Sequence, residues 1–381
     1  MAKQSLFCIF AFILLFTACD GESQSVDDMH TSVYVGTYTR GESEGIYHLS
    51  LNHKTGELTV PVLVAETANP SFLAVHSSMK FLFAVSEMPD QGQGTSGALS
   101  AYAIEEDGSL TFINKMETGS RGPCHVSLNE PGSHAFVAHY GGGSVSVLPV
   151  AENGQLSATS GFSQHRGSSV NPERQSAPHA HSVFLDAAQK RVYVADLGLD
   201  RIVIYNFDRA NGSITEQSYA GVPPGGGPRH FTFHPSGRFA YTNNELTSSV
   251  TGFRVDSVTG DLSAFQTISC LPNDFEGSNS TAQILTSNDG RFLYVSNRGH
   301  NSIAMYTIDQ ISGQLEAIGH QSTMGETPRN FNIDPSGRFL IAANQASDNL
   351  VVFRINDQTG RLEDTGHRAA VPTPVCIVYR G

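Results

Sequence analysis

The chain repeats itself, and that repetition limits its fold more than any other feature. Residues 227–245 (GPRHFTFHPSGRFAYTNNE) and 327–345 (TPRNFNIDPSGRFLIAANQ) are two copies of one pattern, and weaker copies begin at 69, 122, 178 and 280. Each copy holds two short runs of β-branched and aromatic residues around a turn such as Pro-Ser-Gly or Asn-Asp-Gly, the mark of a β-hairpin. A second hairpin follows each one, as in SVTGFRVDSVTGDLSAF, with its turn written D-x-x-[TS]-G-x-L or close to it. Counting GIYHLSLNHKTGELTV near the start, these second hairpins number seven. Four strands recurring at roughly 50 residues is the arithmetic of a β-propeller, whose units bury their apolar faces only by stacking on neighbours. Helical periodicity is absent from every long window, which excludes a helical solenoid.

The seventh unit is divided between the two ends of the chain. Residues 373–379 (TPVCIVY) read as a first strand that runs out of chain, and 32–38 (SVYVGTY) as a second strand lacking its first. Joining them closes the ring through backbone hydrogen bonds. The expected fold is therefore all-β, a single seven-bladed propeller over residues 31–381. Glycine, at 37 copies, suits the many tight turns this requires. A formal net charge of −13 argues against non-specific nucleic-acid binding, which needs basic surface.

Residues 1–19 read as an export signal. Lys3 gives a basic start, and Leu6 to Phe16 is an apolar run too short to span a bilayer. It ends in Phe16-Thr17-Ala18-Cys19, which resembles a bacterial lipobox with Cys19 as the lipidated residue. Residues 20–30 (DGESQSVDDMH) are polar and acidic, as a tether should be. These features predict a bacterial envelope lipoprotein held to the membrane at Cys19. Cys124, Cys270 and Cys376 remain in the mature domain, too few to suggest a disulfide framework.

Two columns of the repeat carry the chemistry. Twelve residues before the repeated Phe83, Phe136, Tyr193, Tyr241, Tyr294 and Ile341 stand Ser71, Cys124, His181, Arg229, Ala282 and Arg329. Four residues after them stand Glu87, Tyr140, Leu197, Glu245, Arg298 and Gln345. In a blade the innermost strand runs one way along the channel and the next runs back, so both columns should ring one mouth. Consecutive units then bring His181, Arg229, Glu245 and Arg298 into one sector. Guanidinium forks suit carboxylate, phosphate or a developing oxyanion, and imidazole suits proton transfer near neutral pH. Taken singly, Arg229 and Glu245 could be a structural ion pair and His181 a rim residue; together they point to a site. His179, His230, Arg329 and Tyr140 are expected to line or support it, while Asp196 and Asp200 organise a loop. His179-x-His181 lacks free carboxylate partners, so neither a metal nor a cofactor is expected.

The segments VGTYT (35–39), PHAHS with DLGLDRI downstream, GPRHFTFHPSGRFAYTNNEL and SNRGHNSIA resemble the lactonase-type seven-bladed propellers, bacterial 6-phosphogluconolactonases and fungal carboxymuconate-lactonizing enzymes. The resemblance covers residues 31–381. It implies metal-free chemistry on a cyclic ester, with active-site residues falling at His181, Arg229, Glu245 and Arg298. An exported chain departs from the sugar-phosphate version of that activity, which belongs in the cytoplasm. The reading is a lactonase acting on a small-molecule sugar-type lactone. In it His181 moves the proton, Glu245 orients Arg229 and the water, and Arg298 or Arg229 stabilises the oxyanion. Two alternatives stand beside it: a non-catalytic, envelope-tethered propeller holding an anionic sugar acid or a partner, and a cyclase acting on a muconate-like diacid.

Overall fold

The computed structural model describes Met1 and residues 29–39, 41–87 and 96–381. The leader, most of the tether and Cys19 lie outside the described residues. Seven four-stranded antiparallel sheets follow one another around a ring, and no helix occurs among the described residues. In the blade nearest the functional residues, Pro228–Phe233 lies innermost, followed outward by Phe239–Asn244, Ser249–Val255 and Leu262–Ser269. The second strand is buried along its whole length, whereas the outermost is half-buried or exposed at every residue but Leu262. Neighbouring blades cover both faces of the inner strands, so even most of their polar residues are buried, while the rim strands face water.

The divided blade closes as expected. Pro374–Arg380 pairs antiparallel with His30–Thr37, from Ser32 opposite Arg380 to Thr37 opposite Pro374.

Apolar packing lies between blades. Tyr193, Ala195, Ile202 and Ile204 of one blade pack on Phe231, Ala240 and Phe253 of the next in a single cluster. Full burial of each such large side chain stabilises by about 1.5–3 kcal/mol. The repeated tyrosines add a polar staple. The hydroxyls of Tyr34, Tyr193, Tyr241 and Tyr294 donate to the carbonyls of Gly108, Gly260, Gly313 and Gly360 at 2.7–2.9 Å. Those glycines close the outer turns. In the copy at 256–260, Asp256 Oδ1 accepts the amides of Val258 and Thr259, and Gly260 takes a φ of +74°. The D-x-x-[TS]-G motif thus builds its own turn and presents a carbonyl to the preceding blade.

Candidate active site

The two columns meet through a hydrogen bond repeated around the ring. The amides of Tyr38, Glu87, Tyr140, Leu197, Glu245 and Gln345 donate to the carbonyls of Thr373, Asn69, Gly122, His179, Gly227 and Thr327. Each acceptor lies two residues before a member of the first column, or before Val375 in the divided blade. In five of these six blades that acceptor has a left-handed φ and precedes a proline, as at Gly227 (φ +64°). A Cβ at Gly227 would also lie 2.7 Å from the Leu246 side chain, so this position needs glycine.

A β-bulge then aims the first-column residues. In six blades the pairing of the innermost strand slips at Cys124, His181, Arg229, Ala282, Arg329 and Val375. Ser71, in the remaining blade, lies ahead of the paired register. A residue extra to the ladder is released from its face and can be re-aimed. Cys124, His181, Arg229 and Arg329 accordingly line the channel.

A cleft of about 320 Å³ opens at this mouth, lined by Glu87, Tyr140, Arg174, Glu245, Arg298 and Arg329, with His181 and Ser280. On one wall Glu245 is surrounded by arginines. Its Oε1 accepts from Arg174 Nη2 at 2.7 Å, and its Oε2 lies 2.9 Å from Arg298 Nη2 and 3.0 Å from Arg229 Nε. The Arg229 contact is an ion pair only, since its Nε–H is not aimed to donate. Burial raises the Glu245 pKa, but Arg298, Arg229 and Arg174 outweigh it and hold the carboxyl down to about 2. The carboxylate is therefore an anchor for three cations and a poor proton acceptor. Arg229, 3% exposed, also donates from Nη1 to Ala282 O at 2.7 Å. Burial, with Arg298 and Arg329 nearby, presses its pKa down to about 9, which leaves it cationic at neutral pH.

The opposite wall is a second polar chain. Arg329 Nη2 donates to the Tyr38 hydroxyl at 2.8 Å, and that hydroxyl donates to Glu87 Oε2 at 2.6 Å. His181 sits between the walls, 5% exposed, its ring 5.3 Å from that of Tyr140. Burial first, then Arg229, Arg329 and Arg298, holds its pKa well below the usual histidine value, so the imidazole is neutral. The Cys124 thiol donates to His181 O at 3.3 Å, and burial pushes its pKa up to about 12. It is a thiol, not a thiolate nucleophile.

Below this layer the channel is plugged by rings. His230 lies 5.5 Å from His181 and 5.4 Å from His125, which packs 4.1 Å from Phe72. A separate cavity of about 410 Å³ lies toward the far end of the innermost strands, walled by Phe72, Phe184, Leu285 and Ile377.

His181, Arg229, Glu245, Arg298, Arg329 and Tyr140 all reach the mouth or its throat. His230 stands one layer down, hydrogen-bonded to Gln283. His179 stands behind the wall: its ring stacks on Tyr140 at 4.5 Å and its Nδ1 meets Tyr140 O at 2.8 Å. Asp196 and Asp200 organise the loops, as expected. Asp196 binds His165 and the His179 amide, and Asp200 binds Ser169, Gln175 and the amides of Gly225 and Gly227. Sequence reasoning missed Arg174, Tyr38 and any role for Glu87. Tyr38 could have been found, because it stands four residues after Tyr34, the matching position of the divided unit. Arg174 lies in a connection between blades and outside both columns, so no periodic signal marks it. Among the described residues, no three His, Cys, Asp or Glu side chains stand where they could hold a metal ion.

Residues 32–379 match the family profile described as lactonase, 7-bladed β-propeller. A 6-phosphogluconolactonase of Bacillus subtilis is 36% identical over 347 residues, covering 91% of this chain and 97% of its own. A 6-phosphogluconolactonase of Formosa agariphila is 36% identical over 311 residues, covering 80% of this chain and 86% of its own. Among solved structures, the periplasmic gluconolactonase of Pseudomonas aeruginosa superposes with a TM-score of 0.86 at 35% identity, covering 92% of this chain and 99% of that one.

Proposed function

The chain belongs to the lactonase family of seven-bladed β-propellers, and from that premise we propose that it hydrolyses a sugar-type lactone at the arginine-lined mouth. The observation that carries this reading is a neutral, buried imidazole at the base of a cleft walled by guanidiniums. Hydrolysis needs a proton acceptor for the attacking water and positive charge where the carbonyl oxygen becomes an oxyanion. His181 takes the proton as water adds to the ring carbonyl. Arg229 and Arg298, fixed by Glu245, stabilise the charge that develops on oxygen. Collapse of the adduct breaks the ring C–O bond, and His181 returns its proton to the departing alkoxide, leaving a hydroxy acid. The guanidiniums that keep His181 neutral make proton uptake uphill and proton return fast, so the imidazolium forms only transiently. Two aldonolactones, phosphorylated and unphosphorylated, and aliphatic lactones as controls test the reading, beside Arg229→Ala. Saturable turnover abolished in the variant supports it. Binding without turnover points instead to a binding platform.

We also propose that the protein is exported to the cell envelope, with residues 1–19 as leader, Cys19 as the lipidated residue and 20–30 as tether. The lipobox-like sequence supports this, as does the similarity to a periplasmic relative. Cys19→Ala should lose incorporation of labelled fatty acid and leave the membrane fraction; a variant that stays membrane-bound and labelled overturns the anchor.

A further inference from the structure

Arg174 is absent from both repeat columns, yet the fold delivers it to the mouth with care. It stands on the connection between Gly161–Gln164 and Ala180–Leu185, and that connection is tied down on all sides. Gln175, fully buried, donates to Leu197 O at 2.9 Å and to Asp200 Oδ1 at 2.6 Å. Gln175 Oε1 accepts the Asn171 amide at 3.0 Å, and Asn171 Oδ1 accepts the Arg174 amide at 3.1 Å. Ser169 Oγ donates to Asp200 Oδ2 at 2.5 Å. The backbone that carries Arg174 is thus preorganised, so little conformational entropy is lost when its side chain binds something.

Its surroundings show what that something is. Among the described residues, four guanidiniums, of Arg174, Arg229, Arg298 and Arg329, face two carboxylates, Glu87 and Glu245, across the mouth and throat. In a chain of net charge −13, the described side chains at this mouth thus carry more positive than negative charge. Arg229 and Arg298 are nearly enclosed, at 3% and 13% side-chain exposure, but Arg174 is 41% exposed. Nη2 alone makes its bonds to Glu245 Oε1 and the Tyr140 hydroxyl. Of the cleft's lining, His181 is 5% exposed and the Arg174 side chain 41%, so a lactone whose carbonyl reached His181 would extend its far substituent outward, toward Arg174.

We infer that Arg174 is a specificity-determining residue: it grips an anionic substituent at the distal end of the lactone, and it sets the preference for a phosphorylated or carboxylated substrate over a neutral one. This rests on the lactonase reading of the same site. The test compares kcat/KM for 6-phosphogluconolactone and for gluconolactone in wild type, Arg174→Gln and Arg174→Lys. A charge-assisted bond to an anion should make the phosphorylated-to-neutral ratio fall about 10- to 100-fold in Arg174→Gln, mostly through KM for the phosphorylated lactone. Arg174→Lys should recover part of it, since a point charge remains. Equal losses for both lactones, or an unchanged ratio, overturn the inference and leave Arg174 as a support for Glu245. If wild type turns over neither lactone, the hydrolase reading fails, and calorimetry with 6-phosphogluconate and gluconate still decides the point. A phosphate preference lost in Arg174→Gln sustains the inference, and equal binding of the two acids ends it.

Discussion

Glu245→Gln is the most informative single change, because the structure supplies both its size and its pH dependence. The carboxylate is 7% exposed and meets three guanidiniums, so its charge is little screened by solvent. Its pKa is about 2 against an ordinary 4.5. At about 1.4 kcal/mol per unit, that difference places about 3 kcal/mol of folding free energy in the ionised group. A depressed carboxyl contributes its full stability above the unfolded value near 4.5 and loses it as pH falls toward 2. Glutamine keeps the shape but removes the charge and leaves three arginines to repel one another. The variant should be about 3 kcal/mol less stable than wild type at pH 7. By linkage the gap should shrink by roughly half at pH 3. Urea denaturation of both proteins at the two pH values measures this, urea being preferable to guanidinium because it does not screen charge. A gap of the same size at pH 3 and pH 7 refutes the reasoning, since the effect would then come from packing and not from charge.

His181→Ala should lower kcat by about 10²-fold or more, and near wild-type turnover in that variant removes His181 from the mechanism. Because His181 is held well below its usual value, its basic form persists as pH falls through 6.5; kcat/KM should show no acid limb there, and a limb centred near 6.5 would contradict the assignment. Tyr241→Phe deletes one interblade staple and leaves Gly313 O without its donor, a loss of about 1–3 kcal/mol by denaturation. A stability equal to wild type would mean that the bond adds nothing. Truncation after Val371 removes the strand Pro374–Arg380 that closes the ring, and should yield a chain without a cooperative melt; a sharp transition like that of the full chain would show the closure to be dispensable.

Much of the candidate site could be read from the sequence because it sits on the repeat. Equivalent positions in equivalent hairpins must occupy equivalent places, so His181, Arg229, Glu245 and Arg298 could be placed together before any coordinates. Arg174 and His179 mark the limit of that logic. The first lies in a connection whose path depends on Asp200 and Gln175, far apart in sequence from the mouth residues it joins. The second stands two residues before His181 and outside both columns, so the repeat does not tell whether it lines the cleft or stands behind its wall.

The architecture is legible in the chain: the number of blades, the closure between the ends, and the one mouth at which both columns gather. These follow from local periodicity and from antiparallel pairing, which any hairpin obeys. Tertiary structure alone decided the aim and the charge of the groups. Bulges at Cys124, His181, Arg229 and Arg329 turn those side chains into the channel, and a slip in register is a property of two paired strands, not of either one. The low pKa of Glu245 comes from arginines that outweigh its burial, and the neutrality of His181 from burial together with arginines; separate blades and a loop deliver those groups, so no stretch of chain encodes either property.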